Sequence, residues 1–170
     1  TEDEKGRAEI SDSLSMGTVR GRLNAIPASM AARLFYFNAT TYEKAGLKIP
    51  STWDELFAAG PVFRERLGPD YFPLDLNLQD VVAIARTWHI QKTGAALVDE
   101  ARSRLNANLE QMIGAADLYR RLVDEHVVPG ARARASFGNV APQEMRPWIT
   151  GRYAGVHQWV SAIGKSADTL

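Results

Sequence analysis

No cysteine occurs among the 170 residues, which excludes disulfides, thiolate metal sites and a thiol nucleophile. That absence identifies no compartment by itself. Histidine is scarce as well: His89, His126 and His157 stand far apart, and none falls in an H-x-x-x-H or H-E-x-x-H pattern. Neither sign of charge is in excess, since twenty Lys and Arg balance twenty Asp and Glu. A balanced chain carries no electrostatic footprint for nucleic acid or an anionic membrane. No apolar run approaches the ~18 residues of a membrane span. A Gly-rich phosphate loop and a G-x-S-x-G elbow are also missing, so the residues do not suggest an enzyme and imply no metal or cofactor. The chain starts at Thr1 rather than Met and shows no secretory leader, a start that suits a processed or excised segment.

What is present is the makeup of a soluble domain. A 45% hydrophobic and 24% charged composition over this length allows one ordinary domain with a sizeable core. Gly21-Arg22 reads as a turn, and Leu23 to Ile26 as a short strand ended by Pro27. Leu34 to Phe37 is a continuous apolar run, as in a buried strand. Tyr42 to Ala45 makes a short helix, with Gly46 as its left-handed cap. Thr52 with Glu55 forms a capping box that opens a helix over 52–66. Phe72 to Leu76 looks like a second buried strand, and 78–92 like a helix with Val81, Ile84, Ala85 and Trp88 inward.

Residues 94–106 are ambiguous. Asn108 with Gln111 fits another capping box, opening a helix to about Glu125 whose stripe is Leu109, Met112, Ile113, Ala116, Tyr119 and Val123. Residues 131–140, with Arg132 and Arg134, read as a solvated polar loop. Pro142 starts a short helix through Trp148. Tyr153 to Val156 reads as a strand, and Trp159 to Ile163 as the start of another helix. Trp53 and Trp88 read as core, whereas Trp148 fits core or surface equally.

Five short segments recur in a telling order: Gly21-Arg22-Leu23-Asn24-Ala25-Ile26-Pro27, Leu34-Phe35-Tyr36-Phe37-Asn38, Tyr42-Glu43-Lys44-Ala45-Gly46-Leu47, Thr52-Trp53-Asp54-Glu55-Leu56 and Gly151-Arg152-Tyr153-Ala154-Gly155-Val156-His157-Gln158-Trp159. In this order and at these spacings the series resembles the extracellular solute-binding proteins of ABC importers, the maltodextrin-binding-protein-like sugar-binding family. The resemblance implies an α/β fold: a single lobe of the type II periplasmic-binding-protein kind, with a short mixed sheet and many surrounding helices. It implies that residues 1–26 form an N-terminal segment and crossover, that 27–170 form the C-terminal lobe, and that the N-terminal lobe is absent.

The same resemblance nominates a substrate-binding set. Trp159 matches a tryptophan that stacks on a sugar ring in relatives, although His157-Gln158 here replaces a Gly-Pro. The bland alternative is a packed aromatic at a strand-helix junction. Asn77-Leu78-Gln79-Asp80 resembles an "N-L-Q-E" segment whose acid faces the cleft. Asn77, Gln79 and Asp80 are therefore candidates, though Asn77 and Asp80 read equally well as a helix cap. Val81 and Val82 stand where relatives have a Pro-aromatic pair, which argues against a long maltodextrin. Ser29 to Arg33 follows the crossover. Ser29 and Arg33 join the set there, Arg33 as a guanidinium fork or, more plainly, as an ion-pair partner; His157 completes it.

By the same resemblance, the function is solute capture for an ABC importer, with a mono- or oligosaccharide held between two lobes and the closed form docking on a membrane permease. That places the protein in the periplasm or outside the cell, associated with the membrane through the transporter. The alternative is a lobe-like interaction or sensory module without transport. The partners expected are the solute, the permease and the missing lobe; nucleic acid is not among them. Self-association of the isolated lobe is a further expectation, since surface meant for the other lobe would stand uncovered.

Overall fold

The computed structural model describes residues 14–15, 17–26, 29, 31–99, 102–138 and 140–164. Pro27, expected to end a strand, lies outside them. The chain divides into two compact units, Thr1–Ala32 and Arg33–Leu170. In the first, β1 (Thr18–Val19) and β2 (Arg22–Leu23) form an antiparallel hairpin. Its two-residue turn is Arg20-Gly21, both with positive φ, the geometry that matches the twist of paired strands.

The second unit is built around β3 (Arg33–Phe37) and β6 (Gly155–Trp159), antiparallel with Arg33 opposite Trp159, Phe35 opposite His157 and Phe37 opposite Gly155. Side chains alternate across a strand. Arg33, Phe35, Trp159 and His157 therefore share one face, while Val156 on the other packs with Met145, Trp148 and Tyr153. Six α-helices lie wholly among the described residues: α1 (Ala39–Lys44), α2 (Trp53–Arg66), α3 (Leu78–Thr93), α4 (Leu109–Asp124), α5 (Ala131–Ala135) and α6 (Arg146–Ile149), with a 3-10 turn at Pro142–Glu144 before the last. The ambiguous stretch after α3 is a small hairpin, β4 (Val98–Asp99) with β5 (Arg104–Leu105).

The helix starts follow from their caps. Thr52, Asn77 and Asn108 each accept an amide three residues on, and Glu55, Asp80 and Gln111 reach back to the cap's own amide. Each reciprocal box satisfies two donors that the first turn would otherwise leave unpaired. The main core joins Leu56 and Phe57 of α2, Leu74, Leu76, Ile84, Leu118, Leu122 and Val127-Val128. A second cluster gathers Tyr42, Ala45, Ala59, Phe63 and Ala154.

Four expectations need correction. Residues 73–76 are buried and Phe72 partly so, but the segment forms only isolated parallel bridges, Phe72 with Tyr153 and Asp75 with Val156. The ladder breaks at Leu74, whose amide turns to the carbonyl of Val127 at 3.0 Å instead of to the β6 side. Close approach here requires Gly155, because a β-carbon would lie 2.6 Å from the Pro73 carbonyl oxygen. On α4 the buried residues are Leu118 and Leu122, while Leu109, Met112 and Ile113 are exposed. Of the stripe read in the sequence, Tyr119 and Val123 do pack against the main core, so only its first half fails.

The presumed loop 131–140 begins with α5, and its Arg134 is buried. After Trp159 the chain makes a turn, and among the described residues beyond it Ile163-Gly164 are helical. Trp159 itself ends a strand. Of the other tryptophans, Trp148 is fully buried, and Trp53 and Trp88 pack edge-on against each other beside the main core.

Candidate functional site

Three chain segments far apart in sequence meet where β3 begins, β6 ends and α3 starts. The antiparallel register places Arg33 beside Trp159. The Asn77 cap fixes the first turn of α3, so that Asp80 projects from its third position toward the same strand ends. The Asp80 carboxylate is the hub. Its Oδ1 accepts from Arg33 Nη2 and lies 3.4 Å from His157 Nδ1, while its Oδ2 accepts from the Asn77 amide at 3.2 Å. Asn77 Oδ1 in turn accepts the Asp80 amide at 2.9 Å.

Arg33 donates a second bond to the His157 carbonyl at 3.2 Å, and its guanidinium carbon lies 5.2 Å from the centre of the Trp159 ring. That is cation–π distance, with the indole held against a charge already neutralised by Asp80. His157 is braced from behind by Phe35, ring centres 5.1 Å apart.

Burial is graded across this group. The side chain of Asp80 is 7% exposed and that of Arg33 19%, whereas Trp159 is 45% exposed. The result is a charged, rigid base under one uncovered flat aromatic face. Such an arrangement can stack on an apolar ring face and offer polar groups at its edge. Gln79 is exposed on the first turn of α3, and Ser29 is exposed in the Thr1–Ala32 unit.

A second acid was missed in the sequence. Asp75 is buried, and the Nε of Arg134 lies 3.0 Å from its Oδ1 and 3.1 Å from its Oδ2. Burial pushes its carboxyl up to about 6, against the pull of Arg134. The only available signal was an acid inside the apolar run Phe72 to Leu76, where burial demands a partner. Among the described residues no group of three His, Asp or Glu could hold a metal ion, and no helix is long and apolar enough to cross a membrane.

The family profile described as bacterial extracellular solute-binding protein matches residues 2–160, and the chain belongs to that family. A periplasmic oligogalacturonide-binding protein from Yersinia enterocolitica is 44% identical with a TM-score of 0.88, over 94% of this chain and 40% of that one. Its complex with saturated digalacturonic acid aligns at 45% identity and a TM-score of 0.83, over 94% and 39%. A binding protein of Brucella abortus strain 2308 is 26% identical over 133 residues, 77% of this chain and 32% of that protein.

A de novo designed cysteine esterase shares the fold at 43% identity and a TM-score of 0.87, over 94% of this chain and 39% of that one. The chain studied here has no cysteine to act in that way. It spans about 40% of the length of the matched structures and about 32% of the curated relative. The fold is accordingly the α/β fold of periplasmic binding proteins, at the size of one lobe.

Proposed function

We propose that this chain supplies one wall of a sugar site in a two-lobed solute-binding protein serving an ABC importer. The observation that carries the reading is the half-exposed Trp159 indole held over Arg33, with Asp80, His157 and Asn77 bonded beneath. Carbohydrates bind through an aromatic platform for the pyranose face and fixed polar groups for the hydroxyls, and this group supplies both. Asn77 and Asp80 do two jobs at once, capping α3 and holding the charged base. Gln79 is assigned to the rim, as a side chain that would reach the solute from α3.

The favoured solute is a short oligosaccharide carrying carboxylates. The Yersinia relative named for oligogalacturonides supports this. Closure of a second lobe would bury the sugar and present a surface to the permease; contacts made only in the closed state would favour it. These assignments place the protein outside the cytoplasm, next to its transporter, with no reaction to catalyse.

Calorimetry on the full-length protein tests the proposal with digalacturonate, galactobiose and maltose. Digalacturonate is expected to bind tightest, with quenching of tryptophan fluorescence that Trp159→Ala removes. Preference for a neutral sugar, or binding indifferent to Trp159, would overturn the assigned solute or the assigned platform respectively.

A further inference from the structure

The outer edge of β3 is left open. Phe37 stands opposite Gly155, and Asn38 donates its amide to the Ala154 carbonyl at 2.8 Å. Bonded and unbonded pairs alternate along an antiparallel ladder. Leu34 and Tyr36 therefore turn their backbone groups to β6, while Phe35 and Phe37 turn theirs away. The far side of β6 agrees with this phase: the Gly155 carbonyl accepts from the Asp75 amide at 2.7 Å and so does not face Phe37. Among the described residues nothing bonds the outward amides and carbonyls of Phe35 and Phe37. Such an edge is a template for another strand.

The edge borders an open groove of about 490 Å³, whose apolar wall includes Leu34, Phe35, Phe37, Ile49, Pro50 and Trp53. The polar side chains along it are already engaged: Ser51 and Thr52 with Glu55, Thr87 with the Ala83 carbonyl and Gln91 with the Trp53 indole. The unmet groups are those of the strand backbone. Nothing in β3 blunts the edge, since it holds no proline or lysine, and its one charge, Arg33, is bonded to Asp80.

We propose that this edge is an interface between two copies of the chain, joined antiparallel through β3 about a twofold axis at Phe35. Phe35 then exchanges both backbone bonds with Phe35 of the second copy, and Arg33 does so with Phe37. Leu34, which is 50% exposed, falls opposite Tyr36 of the second copy as an aliphatic–aromatic pair. Charge selects this occupant and this direction. Twenty basic residues balance twenty acidic ones, so two copies carry no net repulsion. Antiparallel pairing also sets the two Arg33 residues at opposite ends of the joint, whereas a parallel strand would put them side by side.

Sedimentation and residue-resolved amide exchange on the 170-residue chain test this. A joint of one short strand is a small interface, so the mass should rise toward twice that of one chain as concentration passes through roughly the micromolar to millimolar range. Over the same range exchange at Phe35 and Phe37 should slow, by about tenfold once nine-tenths of the chains are paired. Leu34 and Tyr36, bonded to β6 throughout, should not change. Leu34→Lys and Leu34→Glu should each weaken association by roughly fivefold through like charges across the joint, and mixing the two variants should restore it. A strictly monomeric chain, association that leaves the Phe35 and Phe37 amides unprotected, or pairing indifferent to charge at Leu34 would each overturn the proposal.

Discussion

Two aspartates five residues apart each meet an arginine, and the two pairs sit in contrasting surroundings. Asp75 and Arg134 are 3% and 9% exposed in their side chains, whereas Asp80 and Arg33 are 7% and 19% exposed and lie beneath an uncovered indole. Their support differs as well. Asp80 is served by Arg33, His157 and the Asn77 amide. Asp75 is more deeply buried, with the Nε of Arg134 between its oxygens and the Leu76 amide as its other donor. How costly a buried carboxylate becomes depends on the number of donors gathered around it relative to its desolvation. By that measure Asp75 belongs to the integrity of the lobe, and Asp80 to a surface that keeps its charges in place for use.

The largest effect should come from separating the buried pair. Arg134→Ala strands a carboxylate among Leu74, Leu76 and their neighbours, and is expected to destabilise by about 3–5 kcal/mol, read as the shift in urea midpoint at pH 7. The double replacement Asp75→Leu with Arg134→Met should recover much of that loss, because an apolar pair leaves no orphaned charge. If the single variant costs under about 1 kcal/mol, the pair behaves like a surface bridge and the contrast fails.

Next in size is a pH effect centred on Asp75, whose carboxyl is raised by burial first and by the Asp80 charge in smaller part. Its carboxyl titrates near 6 in the folded chain, above the ~3.9 of an unfolded one. Between these values the folded state holds more protons, so stability falls as pH rises. The contribution is fully present below about pH 4 and lost above about pH 6, on the order of 3 kcal/mol at most. Thermal melts from pH 4 to 7, compared with Asp75→Asn, should show a slope in the parent that the variant lacks. Parallel curves would remove Asp75 as the cause.

Much of this was legible in the sequence, and the failures have physical reasons. Capping boxes at Thr52, Asn77 and Asn108 depend on residues three apart, so local pattern sufficed to place α2, α3 and α4. The β3 strand showed as a run of bulky residues, and β6 came through the resemblance of Gly151 to Trp159. The strand character of 72–76 misled, because the Leu74 amide is taken by Val127 and tertiary neighbours on both sides share the remaining bonds. The inward face of α4 was half read: Tyr119 and Val123 do pack on the core, whereas Leu109, Met112 and Ile113 mimic a core stripe while standing exposed. Arg134 was read as solvated because nothing local reveals a partner 59 residues away. For the candidate site, Arg33, Asp80, His157 and Trp159 were each nominated, but their mutual bonding depends on a strand register that no single segment contains.

Smaller effects are expected on the exposed side of the comparison, beginning with its platform. Trp159→Ala should weaken sugar binding by roughly 1–3 kcal/mol through lost burial and stacking. The unfolding midpoint should barely move, since nearly half of this side chain already faces solvent. Isothermal titration beside a urea melt separates the two readouts. A large loss of stability without loss of affinity would make Trp159 a packing residue and return the site to an ordinary strand end.

The smallest effect isolates the hub. Asp80→Asn keeps the side chain's shape, and its amide oxygen can still accept from the Asn77 amide, so the start of α3 should survive. What it removes is the charge opposite Arg33 and His157. Arg33 is half-buried and retains the His157 carbonyl and the Trp159 face, so the expected destabilisation is only about 1 kcal/mol. That is well below the cost of Arg134→Ala, although both changes unbalance an Asp–Arg pair. Combining Asp80→Asn with Arg33→Gln in a double-mutant cycle gives the coupling directly. A coupling as large as that between Asp75 and Arg134 would mean that the upper pair also holds the fold together, and that exposure near the Trp159 indole is no guide to its role. A small coupling with a marked loss of sugar affinity would fix the division: one aspartate for the lobe, the other for its ligand face.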